Sequence, residues 1–193
     1  MSTTTRPSWD EYFMNMCDVV ATRATCDRKH VGAVITKSNR VLSVGFNGSL
    51  PGTVHCNERK CVACGWKEDY PEIPLNKTLK NSKCPNCGNN GGFLETVKGG
   101  HLIENGHCIR VCHAEENAIV YAARTGIALE GASIYCNTVP CWNCMKLTVG
   151  AGIVEVVYKD DYDISGNEAI EDFLDQLTWM LPHPFKLRQL KMK

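Results

Sequence analysis

The chain has 193 residues, 44% of them hydrophobic and 22% charged, an ordinary globular composition with enough length for one compact core. Its 21 Lys and Arg balance 21 Asp and Glu, so no global field gathers a polyanion or an acidic membrane, and any nucleic-acid contact has to be local. The opening MSTTTRPSWDEYF lacks a basic, apolar secretory signal, and no later stretch offers the roughly eighteen apolar residues that span a bilayer, so a soluble, intracellular chain is expected.

In chain order, SWDE at 8–11 has the S-x-x-E form of a capping box and predicts a helix, with Tyr12, Phe13, Met16, Val19 and Val20 at helical spacing on its buried face. HVGAVITK and RVLSVGFN predict two strands joined by the polar turn Ser38-Asn39. From Gly48 to about Arg110 the sequence is glycine, proline, asparagine and cysteine without an apolar period, so this stretch needs cross-linking or stays mobile. AEENAIVYAARTG predicts a helix with Ala118, Ile119 and Ala122 on its small-residue face and Gly126 as its stop. Strand ASIYCN, helix WNCMKLTVGAG, strand IVEVVYK, a helix over 167–180 and a short strand over 185–190 complete the pattern. Strands alternating with helices after an initial hairpin predict an α/β sandwich on a mixed sheet, as one domain over 1–193 with a cysteine-rich insertion at about 50–110.

Two separated pieces carry reactive chemistry, HAE at 113–115 and PCWNC at 140–144. His113, Cys141 and Cys144 offer zinc one nitrogen and two thiolates, leaving the fourth tetrahedral position for water, as catalytic sites do. Each piece falls at a predicted helix start, where free N–H groups and the helix dipole favour negative charge, and Pro140 suits such a start because its missing N–H would be unpaired there. Glu115, two residues after His113, reaches the open position without completing the shell, which casts it as a proton carrier. Alone, a histidine at a helix start is more often a cap, and a CxxC pair can be a redox couple; it is the combination that points to zinc.

The pattern H-x-E with P-C-x-x-C resembles that of zinc-dependent nucleobase deaminases. TCDRKHVGAVI at 25–35, GFNGS at 45–49, GHCIRVCHAEENAI at 106–119 and PCWNCMKLTVGAGIVEVVY at 140–158 are similar to the deoxycytidylate (dCMP) deaminase branch. The likeness covers most of the chain outside the cysteine-rich insertion and roughly the last thirty residues. It implies a three-layer α/β/α fold of the cytidine-deaminase type, hydrolysis of dCMP to dUMP and ammonia for dTMP synthesis, and a cytoplasmic location, the host's if the chain is viral. It also implies that His113, Cys141 and Cys144 hold zinc, and that Glu115 takes a proton from zinc-activated water, protonates N3 of cytosine and later assists loss of ammonia from C4. Asn47 would contact the sugar, the backbone N–H of Ala114 would meet the pyrimidine carbonyl, and Tyr162, in a Y-x-x-x-Y-D ending, would close the site. A homo-oligomer, often a hexamer, with dCTP as activator and dTTP as inhibitor, completes what the resemblance implies. Arg23, Arg28, Arg110, Arg124 and Lys159 are phosphate candidates by charge. Two departures stand out: Asn137 where threonine is usual, and Cys112, expected as a small buried residue, where relatives carry valine or isoleucine.

The other cysteines suggest structural metal rather than disulfides in a chain without a secretory signal. Cys61 and Cys64 with Cys84 and Cys87 form two CxxCG pairs that would close one tetrahedral zinc ribbon. Cys26, Cys56, Cys61 and Cys108 resemble positions where some bacterial and phage-like relatives hold a structural metal, so Cys61 fits either set. With Cys61 in the ribbon, the second site has Cys26, Cys56 and Cys108, with His55 or His107 as a fourth ligand. One catalytic and one or two structural zinc ions are therefore expected, while Cys17 and Cys136 belong to the core. Two rivals differ in class. One is a deaminase of bases within RNA or single-stranded DNA, gripping through the ribbon and a basic strip of Lys77, Lys80 and Lys83; neutral net charge and GFNGS count against it. The other is a noncatalytic zinc-ribbon module, against which Glu115 and the open metal position count.

Overall fold

The computed structural model describes residues 6–53, 55–56, 58–61, 63–69, 83–88, 93–94, 101, 103–104, 107–161 and 185–192. The helix expected over 167–180 and Tyr162 lie outside these residues. The chain divides into two compact units, one of residues 1–24, 30–47 and 113–193, the other of residues 25–29 and 48–112.

The first unit is built on a five-stranded sheet. Its elements are α1 (Trp9–Ala21), β1 (Gly32–Lys37), β2 (Arg40–Phe46), α2 (Ala114–Thr125), β3 (Ser133–Thr138), α3 (Trp142–Gly150), β4 (Glu155–Asp160) and β5 (Lys186–Gln189). The strand order is β5-β4-β3-β1-β2. β1 runs antiparallel to both β2 and β3, whereas β3, β4 and β5 are mutually parallel, so the sheet is mixed as expected. Ser38 and Asn39, at φ of 50° and 58°, make the tight β1–β2 turn, a conformation asparagine tolerates and whose twist matches the strands.

Both faces of the sheet are covered, and the pleat sorts the side chains. Ala33, Ile35, Ile134, Cys136 and Val156 pack with Ala114, Ala118 and Ala122 of α2 and Met145 of α3. The intervening Val34, Tyr135 and Val157 pack with Phe13, Met14 and Cys17 of α1. This is the three-layer α/β/α arrangement, with Cys17 and Cys136 fully buried in it. Phe185 closes the α2–α3 core just before β5.

Helix α1 starts at the expected capping box: Glu11 N–H donates to Ser8 Oγ at 3.2 Å and Ser8 N–H to Glu11 Oε2 at 2.8 Å. Its buried face differs from expectation. Phe13, Met14, Cys17 and Ala21 are buried, while Tyr12 and Val19 are 45% and 69% exposed. The cause is Gly32, where a Cβ would overlap Cys17 O and stand 2.7 Å from Ala21 N. Backbone meets backbone along that line, so Cys17 and Ala21 turn inward and the helix is rotated to leave Tyr12 and Val19 outward.

The outer edge of the same face carries an ionic tie between elements far apart in sequence. Arg188 of β5 donates to Asp10 Oδ2 at 2.8 Å, to Asp10 Oδ1 at 3.0 Å and to Glu155 Oε1 at 3.0 Å, while the Tyr135 hydroxyl donates to Asp10 Oδ1 at 2.8 Å. The Arg188 guanidinium holds the Asp10 carboxyl below its ordinary pKa. Arg188→Ala is expected to lower stability by about 1 kcal/mol at neutral pH, because the pair is fork-shaped yet partly exposed. A depressed carboxyl pKa stabilises above its unfolded value and stops doing so as pH falls through the folded one, so the gap between variant and parent should narrow progressively as pH falls below about 4. Urea titrations at pH 7 and pH 3 check this; a gap as wide at pH 3 as at pH 7 would assign the effect to packing.

In the second unit, short strands replace the structureless loop expected there. Gly48–Ser49 pairs with Val111–Cys112, Glu58–Cys61 pairs with Lys67–Asp69 and with Phe93–Leu94, and Ile103–Glu104 pairs with His107–Cys108, all antiparallel. Residues 25–29 join this unit and bring Cys26 to it. Among the described residues, no helix is long and apolar enough to cross a membrane.

Candidate metal centre and active site

The N-termini of α2 and α3 meet at the expected ligands. His113 is the N-cap of α2 and Cys141 the N-cap of α3, in nearly the same extended conformation, φ −71° with ψ 162° and 166°. His113 Nδ1 lies 3.5 Å from Cys141 Sγ and 3.4 Å from Cys144 Sγ, and all three ligand atoms fall within 4.8 Å of one another. Bond lengths of about 2.3 Å for Zn–S and about 2.0 Å for Zn–N place tetrahedral ligands about 3.5 Å apart, N to S, so these residues fit zinc. Pro140 sits one residue before the cap rather than in the first turn; fully buried, it fixes the chain's entry into Cys141.

The protonation of the set supports the same assignment. Hydrogen bonds from Cys144 and His113 bring the Cys141 thiol down to about 3. The resulting thiolate pushes His113 up to about 9, and the bond to Cys141, with burial, pushes Cys144 up. Three neighbours thus compete for protons in a space where a divalent cation would displace them.

Glu115 occupies the second position of α2 and is only 3% exposed. Burial pushes its carboxyl above the ordinary value, opposed by its own backbone N–H and by His113. Ala114, fully buried as the first helical residue, has an N–H with no carbonyl partner inside the helix. Helix α2 is seated by β2: Ser43 Oγ donates to Ala118 O at 2.7 Å and Asn117 Nδ2 to Phe46 O at 2.7 Å. Asn47, directly after Phe46, is buried, and its Oδ1 accepts from Val31 N–H at 2.8 Å. The expected His113, Ala114, Glu115 and Asn47 therefore gather where β2 ends and α2 begins.

Three other expectations shift. Asn137 reaches into the sheet: its Oδ1 accepts from Gly32 N–H at 3.0 Å and its Nδ2 donates to His30 O at 3.2 Å, pinning the entry to β1. Lys159 is engaged by both Asp18 carboxylate oxygens at 2.7 Å, which competes with any phosphate. Cys112 is half-buried rather than a core residue.

In the second unit the cysteines form two sets. Cys61, Cys64, Cys84 and Cys87 come together, and so do Cys26, Cys56, Cys108 and His101. Cys61 thus stands with the CxxCG pairs. The histidine of the other set is His101, in place of His55 or His107. Its Nδ1 is 3.7 Å from Cys26 Sγ and its Nε2 is 3.0 Å from Asp27 Oδ1, a carboxylate that orients a ligand imidazole. His55 instead faces Glu58, Nε2 to Oε1 at 3.6 Å. The pairing of Ile103 with Cys108 and of Glu104 with His107 folds 101 back alongside Cys108. Asn105-Gly106, a strong hairpin signal, could have revealed this in the sequence.

Comparison with known proteins agrees with this geometry. The model of the family described as the cytidine and deoxycytidylate deaminase zinc-binding region matches residues 7–160. The deoxycytidylate deaminase of Schizosaccharomyces pombe is 34% identical over 164 residues, which cover 85% of this chain and 41% of that protein. The deoxycytidylate deaminase of Enterobacteria phage T2 is 32% identical over 170 residues, covering 83% of this chain and 89% of that one. The chain thus spans less than half of the yeast protein and most of the phage protein. In fold it matches the crystal structure of dCMP deaminase from the cyanophage S-TIM5 in complex with dCMP and dUMP, with a TM-score of 0.60 at 22% identity, covering 96% of this chain and 99% of that one. With an α/β/α sandwich of that fold and a His-Cys-Cys set at two helix starts, the chain belongs to the family of the cytidine and deoxycytidylate deaminase zinc-binding region.

Proposed function

We propose that this protein hydrolyses dCMP to dUMP and ammonia, supplying dUMP for dTMP synthesis in the cytoplasm. The observation that carries the proposal is the grouping of His113, Cys141 and Cys144, with a buried Glu115 in the first turn of α2 two residues after His113. His113, Cys141 and Cys144 would hold a zinc ion, which would supply Lewis acidity to lower the pKa of the attacking water towards neutrality. Glu115 takes a proton from that water as the water oxygen bonds to C4, passes it to N3 of cytosine, and then carries the remaining hydroxyl proton to the amino group, so that the C4–N bond breaks and ammonia leaves. Its raised pKa suits a group that must both accept and return a proton. The Ala114 N–H holds the pyrimidine carbonyl and Asn47 the deoxyribose. The relatives named deoxycytidylate deaminase support dCMP as the substrate.

The proposal extends to a homo-oligomer, a hexamer, activated by dCTP and inhibited by dTTP, and to a structural zinc on Cys26, Cys56, Cys108 and His101. Ammonia release from dCMP, dCTP, deoxycytidine and a short cytosine-containing oligonucleotide tests the central claim. Turnover of dCMP at least tenfold above each of the others is expected. Turnover of the oligonucleotide with none of dCMP would replace the proposal by a polynucleotide base deaminase.

A further inference from the structure

Among the described side chains of the second unit, sulfur takes the place that aliphatic groups normally fill in a protein interior. The buried ones are Cys26, Cys56, Cys61, Cys84, Cys108 and Val111. Five sulfur-bearing residues and one valine offer little aliphatic area to set against chain entropy.

Cys61 and Cys64 flank the turn between strands Glu58–Cys61 and Lys67–Asp69, and Cys84 and Cys87 form a second turn of the same build. In each, the glycine after the second cysteine is left-handed, Gly65 at φ 73° and Gly88 at φ 70°. Each glycine N–H also returns to the carbonyl of the first cysteine: Gly65 to Cys61 O at 2.9 Å and Gly88 to Cys84 O at 2.8 Å. The repeated turn aims two sulfurs from each side at one point. Cys61 Sγ is 3.8 Å from Cys87 Sγ, and Cys64 Sγ is 3.8 Å from Cys84 Sγ, each pair joining one turn to the other. A disulfide needs sulfurs about 2.05 Å apart. Four thiolates around a tetrahedral zinc, with Zn–S about 2.3 Å, stand about 3.8 Å apart. Asn86 Nδ2 lies 3.5 Å from Cys64 Sγ, an outer hydrogen bond of the kind that steadies a metal thiolate.

We propose that Cys61, Cys64, Cys84 and Cys87 form a closed four-thiolate zinc site that folds this part of the chain, independent of the ion at His113. Four protein ligands leave no place for water or substrate, so the site is structural, and losing its metal unfolds its surroundings. Neither conclusion depends on which base the protein deaminates.

The test uses the full chain and needs no activity. Zinc per chain, measured by plasma mass spectrometry, should fall by one equivalent in the double variant Cys84→Ser/Cys87→Ser, with proteolysis increasing within residues 58–94 only. An unchanged zinc count would overturn the proposal. So would iron in place of zinc, since a four-sulfur tetrahedron suits either metal. Should the double variant prove insoluble, the wild-type chain decides by native alkylation. Cys64 and Cys87 are exposed, so as free thiols they would react with iodoacetamide at once. Protection of both, lost on adding a chelator, is the expected result. Prompt alkylation with zinc still bound, or a mass two units low per Cys–Cys link, would overturn it.

Discussion

Glu115→Gln should lower kcat on dCMP by about 10²–10⁴-fold while leaving zinc per chain unchanged, the scale of a lost general acid–base group. Glutamine keeps the volume and most of the polarity of a side chain that is nearly inaccessible, so α2 has no reason to move. What disappears is the ability to accept and return a proton. Three ligands, His113, Cys141 and Cys144, remain to hold the ion. Metal analysis beside single-turnover kinetics therefore separates two roles. Loss of zinc along with activity would make Glu115 a ligand, and a fall of less than tenfold would pass the proton transfer to another group. Binding of dCMP should change little, so the loss should appear in kcat rather than KM.

How far the sequence disclosed the molecule depended on the range of the interaction behind each feature. The capping box of α1, the Ser38-Asn39 turn and the Gly126 stop are decided within four or five residues, and all three appear where the sequence places them. The His113 and Cys141 pieces were legible for the same reason: each is a local helix start, and zinc chemistry supplies a rule for combining them. The buried face of α1 was not legible, because it is set by Gly32 in a separate strand, and apolarity alone favoured Tyr12 and Val19. His101 escaped because its approach to Cys26 requires a hairpin and the joining of residues 25–29 to the second unit. Asn137 stood out only as a departure from the usual threonine; that it links neighbouring strands requires knowing that β3 lies beside β1.

Gly45→Ala should cost stability and activity together, through a contact that no ligand list would include. A Cβ at Gly45 would overlap Ala114 O and stand 2.5 Å from Ala118 N, both backbone atoms of α2. Neither can swing aside as a side chain could, and the helix is held down on both sides of that point by Ser43 and Asn117. Relief therefore requires α2 to lift from β2, at about 3 kcal/mol, the upper end for overpacking. For a chain of this size that is a fall in Tm of roughly 6–12 °C. The lifted segment is the first turn of α2, which carries His113, Ala114 and Glu115, so ligand geometry and proton carrier shift with it. Activity should drop by at least 10²-fold even well below Tm, the scale expected of an ångström-sized misplacement of reacting groups. Val44→Ala is the control: its side chain points to the other face, is 42% exposed, and should change both quantities little. A Gly45→Ala protein as active and as heat-stable as its parent would mean that α2 has room to approach β2 differently, and that the active site tolerates the move.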